Sequence, residues 1–72
     1  MKLQTIEGLP LTREEFKHYL LQCMKMAANN KDFNYPHFLF DLRNKCDMSL
    51  EELMGFIHEI NLGHIEKNGL NL

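Results

Sequence analysis

The sequence has no valine and no tryptophan, one serine (Ser49), two prolines and two cysteines. Four isoleucines and two threonines are its only β-branched residues. Strands draw heavily on β-branched and aromatic side chains, so a sandwich or barrel is excluded. A doubly wound α/β fold needs more chain than 72 residues. No apolar run approaches the roughly 20 residues that cross a bilayer. Residues 1–12 show no sustained apolar stretch, so no secretory segment is expected. Gly8, Gly55, Gly63 and Gly69 are scattered and form no phosphate-cradling loop. Cys23 and Cys46 make at most one disulfide, and the expectation is a reduced, cytoplasmic protein in which both thiols act as small apolar groups.

What is present is 12 leucines, with five methionines and five phenylalanines. Leucine and methionine lose little rotamer freedom in a helix. With 44% apolar residues, the chain has material for one compact helical core. The expected fold is a single all-α domain over residues 1–72: a small three-helix bundle with an extended N-terminal arm at 1–11. Residues 64–72, with Gly69 and two asparagines, are expected to fray in part.

The helix boundaries follow from capping chemistry. Thr12 and Glu15 form a T-x-x-E capping box, and Leu11 and Phe16 suit a hydrophobic staple across it. Phe16, Tyr19, Leu20, Cys23, Met26 and Ala27 then share one face. Arg13, Glu14, Lys17 and His18 are expected on the opposite one. Asn29 and Asn30 end the segment, because asparagine tolerates the left-handed conformation. The first helix is therefore placed at 13–28. Pro36 suits a first helical turn with Asn34 as cap, which places the second helix at 36–45. Ser49 and Glu52 form a second capping box, and Gly63 is a stop signal, which places the third at 50–62. Its expected buried stripe is Leu50, Leu53, Met54, Ile57 and Ile60, with Phe56 at the edge and Glu51, Glu52 and Glu59 outward. Residues 1–11 have no helical period, and Ile6 and Leu9 are the expected anchors of the arm.

Chemical signatures are sparse. His18, His37, His58, His64, Cys23 and Cys46 fall in neither C-x₂-C nor H-x₃-H spacing, so no metal site is expected. Cys23 lies on an apolar stripe, where desolvation makes a thiol inert. Cys46 sits near a helix C-terminus, whose dipole disfavours a thiolate. Ser49 is accounted for as a cap. No enzyme activity, cofactor or small-molecule substrate is expected.

Charge is uneven. The total is −2, with residues 25–45 net basic and residues 46–72 strongly acidic. The segment 42–54, LRNKCDMSLEELM, resembles a stretch of the Cro/repressor-type DNA-binding domains, which carry an L-G-V-S-L-E-E-L-like run. Leu42, Cys46, Met48, Ser49 and Leu53 stand where that pattern has its apolar anchors and cap. The resemblance implies a helix-turn-helix-like arrangement of the second and third helices. It matches the closing helices of that family, so it carries over no DNA-contacting residue. A DNA-binding regulator would have to use the basic middle, through Lys31, Arg43, Asn44 and Lys45. The third helix opens Leu50-Glu51-Glu52, which phosphate repels.

The leading expectation comes from surplus apolar surface. Each helix needs one stripe of about 100°. Leu21, Met24, Leu39, Phe40 and Phe56 exceed it, and exposed apolar patches mark protein contacts. The expected function is a small interaction module that binds a protein partner, or a second copy of itself. The expected docking set is Leu39, Phe40 and Phe56, rimmed by Glu51, Glu52 and Glu59. A compact acidic binder of this kind can block a basic surface on a nucleic-acid enzyme or regulator, as bacterial, plasmid and phage regulators and inhibitors of this size do. No membrane partner is expected.

Overall fold

Three helices form in the order α1 (Arg13–Asn29), α2 (Tyr35–Cys46) and α3 (Leu50–Asn61) in the computed structural model, which describes residues 1–63. The expected fraying of 64–72 lies outside the described residues. The all-α bundle is as expected, and among the described residues the only β pairing is an isolated bridge.

Both capping boxes form. The Thr12 hydroxyl accepts from the Glu15 amide at 3.2 Å, and the Glu15 carboxylate accepts from the Thr12 amide at 2.8 Å. Ser49 and Glu52 repeat the exchange at 3.1 and 2.9 Å. Each box satisfies two amides that the helix leaves unpaired. The Asn34 side chain accepts from the His37 amide at 3.1 Å, and Pro36 sits in the first turn of α2. Gly63 follows the end of α3 with φ +79°, as its reading as a stop signal implies. The end of α1 differs in mechanism from the expectation: Asn30 is extended, with φ −130°, and the non-glycine residue in the left-handed region is Asp47 after α2, with φ 51°. A three-residue turn, Asp47–Ser49, joins α2 to α3.

The core is built from Phe16 and Leu20 of α1, Leu42 and Cys46 of α2, Met48 of the turn, and Leu53, Phe56 and Ile60 of α3. The Phe16 and Phe56 rings meet edge to face at 5.0 Å, an arrangement aromatic quadrupoles favour. A second aromatic group closes the other side. Phe33 and Tyr19 both pack on Phe38, at 5.5 and 6.1 Å between centroids. The α1–α2 connection is thereby held by its aromatics, despite its polar composition.

Residues 2–11 form a small hairpin. The Leu11 amide donates to the Leu3 carbonyl at 2.8 Å and the Thr5 amide to the Leu9 carbonyl at 2.9 Å. Gly8 turns the chain with φ +98°, a conformation that suits glycine. The hairpin is a cap for α2: the Lys2 amide donates to the Cys46 carbonyl at 2.8 Å, and the Gln4 side-chain amide donates to the Lys45 carbonyl. These are among the carbonyls a helix leaves without partners. Leu3 and Ile6 pack against the core, whereas Leu9 is exposed, so the arm docks through Leu3 and Ile6 rather than Ile6 and Leu9.

Candidate functional site

The face of α3 differs from the expectation. Leu53, Phe56 and Ile60 are buried, Ile57 is half-buried, and Leu50 and Met54 are 55% and 50% exposed. The apolar arc of this helix is wider than the groove offered by α1 and α2, so one flank has to remain outside. Docking selects the Phe56 side, where the Phe16 ring meets it, and leaves Leu50 and Met54 in solvent. Phe56 is therefore a core residue and not an exposed anchor.

A network of charges covers the outer edge of that contact. Glu59 accepts from Arg13 at 2.6 Å and from Lys17 at 2.8 Å, and Lys17 also reaches Glu14 at 3.2 Å. The Arg13 guanidinium lies 4.5 Å from the centroid of the Phe56 ring, within cation–π range. Lys17 is 4% exposed, so it does not face solvent as its helical position implied. Its stem fills the α1–α3 seam while its ammonium meets the two carboxylates. The hydrogen bond from Lys17 is the main cause that holds the Glu59 carboxyl below its ordinary range, with Arg13 adding to it. The bond to Glu59 in turn raises Lys17 above its ordinary value, against the opposing effect of burial. Glu59 is thus engaged within the molecule, which removes it from an acidic docking rim.

The remaining expected contact residues are dispersed. Leu39 is half-buried against the core, and Phe40 is 57% exposed. Glu51 and Glu52 are exposed at the start of α3. The Glu52 carboxyl is held low by the Ser49 amide that its capping role supplies. Leu21 and Met24, expected as surplus, pack against the core, whereas Met26, expected on the buried stripe, is exposed. An open pocket of about 240 Å³ lies between α1 and α3, with Met1, Arg13, Glu52, Gly55, Phe56 and Glu59 as its lining. It is smaller than the roughly 300–1,000 Å³ of ordinary small-molecule sites and carries charges of both signs.

The basic set is divided between a turn and a helix. Lys31 lies in the turn after α1, while Arg43, Asn44 and Lys45 lie in the last turns of α2. Arg43 is half-buried, and its Nε is sealed from solvent. Leu42, Cys46, Met48 and Leu53, the anchors of the repressor-like segment, are all buried. A helix pair joined by a short capped turn accounts for that stretch of sequence.

Cys23 and Cys46 are buried free thiols. Burial, assisted by the Glu7 charge, pushes Cys23 up to about 11, and burial raises Cys46 as well. Neither is a thiolate nucleophile at neutral pH. Among the described residues, no three His, Cys, Asp or Glu side chains group as metal ligands, and no helix is long and apolar enough to cross a membrane. No protein-family model, curated protein or solved structure matches the chain.

The surface residues that sequence reasoning missed are Leu50 and Met54. The signal was present in the six apolar residues of α3, which span more arc than one core contact covers.

Proposed function

We propose that this protein is a non-enzymatic interaction module, a small regulator or inhibitor that works by docking a protein partner on the outer flank of α3. The observation that carries this reading is the exposed pair Leu50 and Met54. They are one turn apart, so their side chains form one continuous apolar strip. Methionine is well suited to such a surface, because its unbranched side chain adapts to different partners. Glu51 and His58 border the strip and supply polar contacts at its rim. Glu59 and Phe56 support the site from behind, by fixing α3 on α1. The two free core thiols fit a reducing, cytoplasmic setting.

The test is photocrosslinking inside the cells that make the protein. A photoreactive residue at position 54 should yield a covalent adduct with another polypeptide. The same residue at position 25, on an exposed part of α1, should yield none. Equal or absent adducts at both positions overturn the reading.

A further inference from the structure

The hairpin of residues 2–11 is bonded largely to itself. Its strands meet through the Thr5 and Leu11 amides, and the Thr5 hydroxyl accepts from the Leu9 amide at 3.1 Å. The chain leaves it at Leu11, directly before the Thr12 cap of α1. The Thr12–Glu15 capping box therefore stands without the hairpin. The contacts that fix α1 to α3 are likewise independent of it. The Phe16–Phe56 ring pair and the bonds of Glu59 to Arg13 and Lys17 involve no hairpin residue.

Little holds the hairpin to the bundle. The Lys2 amide and the Gln4 side chain donate to the last carbonyls of α2. On the other side, the Ile6 amide donates to the Tyr19 hydroxyl of α1 at 3.1 Å. Leu3, Ile6 and Leu11 pack against the core, but each is only half-buried. A two-stranded hairpin by itself is marginal in water, so this ladder does not outlast its docking. Ladder and docking are lost together, which is the behaviour of a cooperative unit smaller than the whole molecule. Beneath the hairpin lies the Cys46 thiol, which is 0% exposed and donates to the Gln4 carbonyl at 3.5 Å.

From these contacts we infer that residues 2–11 are a strap that opens and closes as one unit while α1, α2 and α3 stay folded, and that the strap gates the Cys46 thiol. With the strap closed, the Gln4 backbone lies on the sulfur. With it open, the thiol, the Tyr19 hydroxyl and the last carbonyls of α2 meet water together. Tyr19 is the latch on the α1 side. Its hydroxyl receives the Ile6 amide, while its ring is held separately against Phe38. The bonds of the strap go to α1 and α2, so its opening is a different event from docking at Leu50 and Met54.

Two measurements on the full chain test the strap. Iodoacetamide labelling at pH 8, with peptide mapping, follows Cys46, and hydrogen exchange follows the amides. Below the onset of global unfolding, the Cys46 rate should be nearly flat in urea, because a small opening exposes little new surface. The amides of Lys2, Thr5, Ile6 and Leu11 should share one level of protection, and those of Leu20 and Phe56 should be protected at least about tenfold more. Tyr19→Phe removes one hydrogen bond and should raise the Cys46 rate about three- to tenfold. Exchange at Lys2, Thr5 and Leu11, which the hydroxyl does not touch, should rise by the same factor. Circular dichroism checks that the variant is folded. A Cys46 rate that climbs with urea in parallel with exchange at Leu20 and Phe56 overturns the strap, since the thiol is then reached only by global unfolding. A rate indifferent to Tyr19→Phe also overturns it. Faster labelling with Thr5 and Leu11 unmoved rejects the single unit, leaving local fraying at residues 2–4.

Discussion

Arg13 and Glu59 are 46 residues apart in the chain, and their side chains meet at 2.6 Å. Lys17 reaches the other oxygen of the same carboxylate at 2.8 Å. One acid thus receives two cations from successive turns of α1, and α3 is fixed in rotation as well as position. That rotation decides which residues of α3 are left in solvent, so a structural ion network sets the position of the proposed docking face.

Glu59→Gln should destabilise the fold more than Glu51→Gln, whose effect should stay within about 0.5 kcal/mol because the site is exposed. The loss arises because Lys17 remains buried after its principal partner is gone. Lys17→Met keeps the packed stem and removes the charge, so it should cost much less. Thermal melts of both single variants and the double variant measure the coupling. Additive effects would show that the contact carries no coupling energy.

The same network has a pH signature. Glu59 and Glu52 are held below their ordinary 4.5 in the folded protein. As pH falls, the unfolded chain takes up these protons first. Their contribution is therefore complete above pH 4.5 and disappears as pH falls through the folded values. The difference in melting temperature between the wild type and Glu59→Gln should close between pH 5 and strongly acidic conditions. A difference that persists unchanged in acid contradicts the assignment.

At the alkaline end, Cys23 behaves in the opposite sense. Its thiol titrates near 11 when folded against an ordinary 9.0, so the unfolded chain loses its proton first. Stability should decline from pH 9 to about 11, by an amount on the order of 2–3 kcal/mol. Tyr19 and Tyr35, raised chiefly by burial, act in the same direction. Cys23→Ala should flatten this decline, as read by urea unfolding at successive pH values. The native protein should also react slowly with a thiol reagent at pH 8, and rapid labelling of both cysteines would contradict their burial.

Gly55 lies in the middle of α3, and a Cβ built there meets nothing within 4 Å. Gly55→Ala should therefore stabilise the protein by about 1 kcal/mol, by removing backbone freedom from the unfolded chain. For a domain of this size that is a rise of about 4–8 °C in Tm. Differential scanning calorimetry checks it, and a lower Tm would mean that the position is constrained in a way the fold does not explain.

The elements were legible in the sequence because their boundaries are set by local chemistry. Thr12 with Glu15 and Ser49 with Glu52 need only three residues of chain to act, and both boxes form. Which way each helix faces is a tertiary matter. Six apolar residues crowd α3, and their order alone does not reveal that Phe56 meets Phe16 while Leu50 and Met54 stay out. Lys17 misleads for a related reason: a charged residue reads as surface, yet its long stem allows the charge to emerge at a distant carboxylate. The hairpin cap on α2 was legible only as an arm, since its bonds to Lys45 and Cys46 join segments far apart in sequence.

That cap gives a mostly helical protein one closure of a different kind. Gln4 reaches Lys45 across 41 residues, and closing a loop of that length costs about 3 kcal/mol of chain entropy. Contacts within helices form early because they are local, whereas this one must wait until the last turn of α2 exists. It is accordingly expected to form after the helices and to open before them. When it opens, the last carbonyls of α2 turn to water and the Lys2 amide loses its partner, so that amide should exchange faster than the amides inside α1.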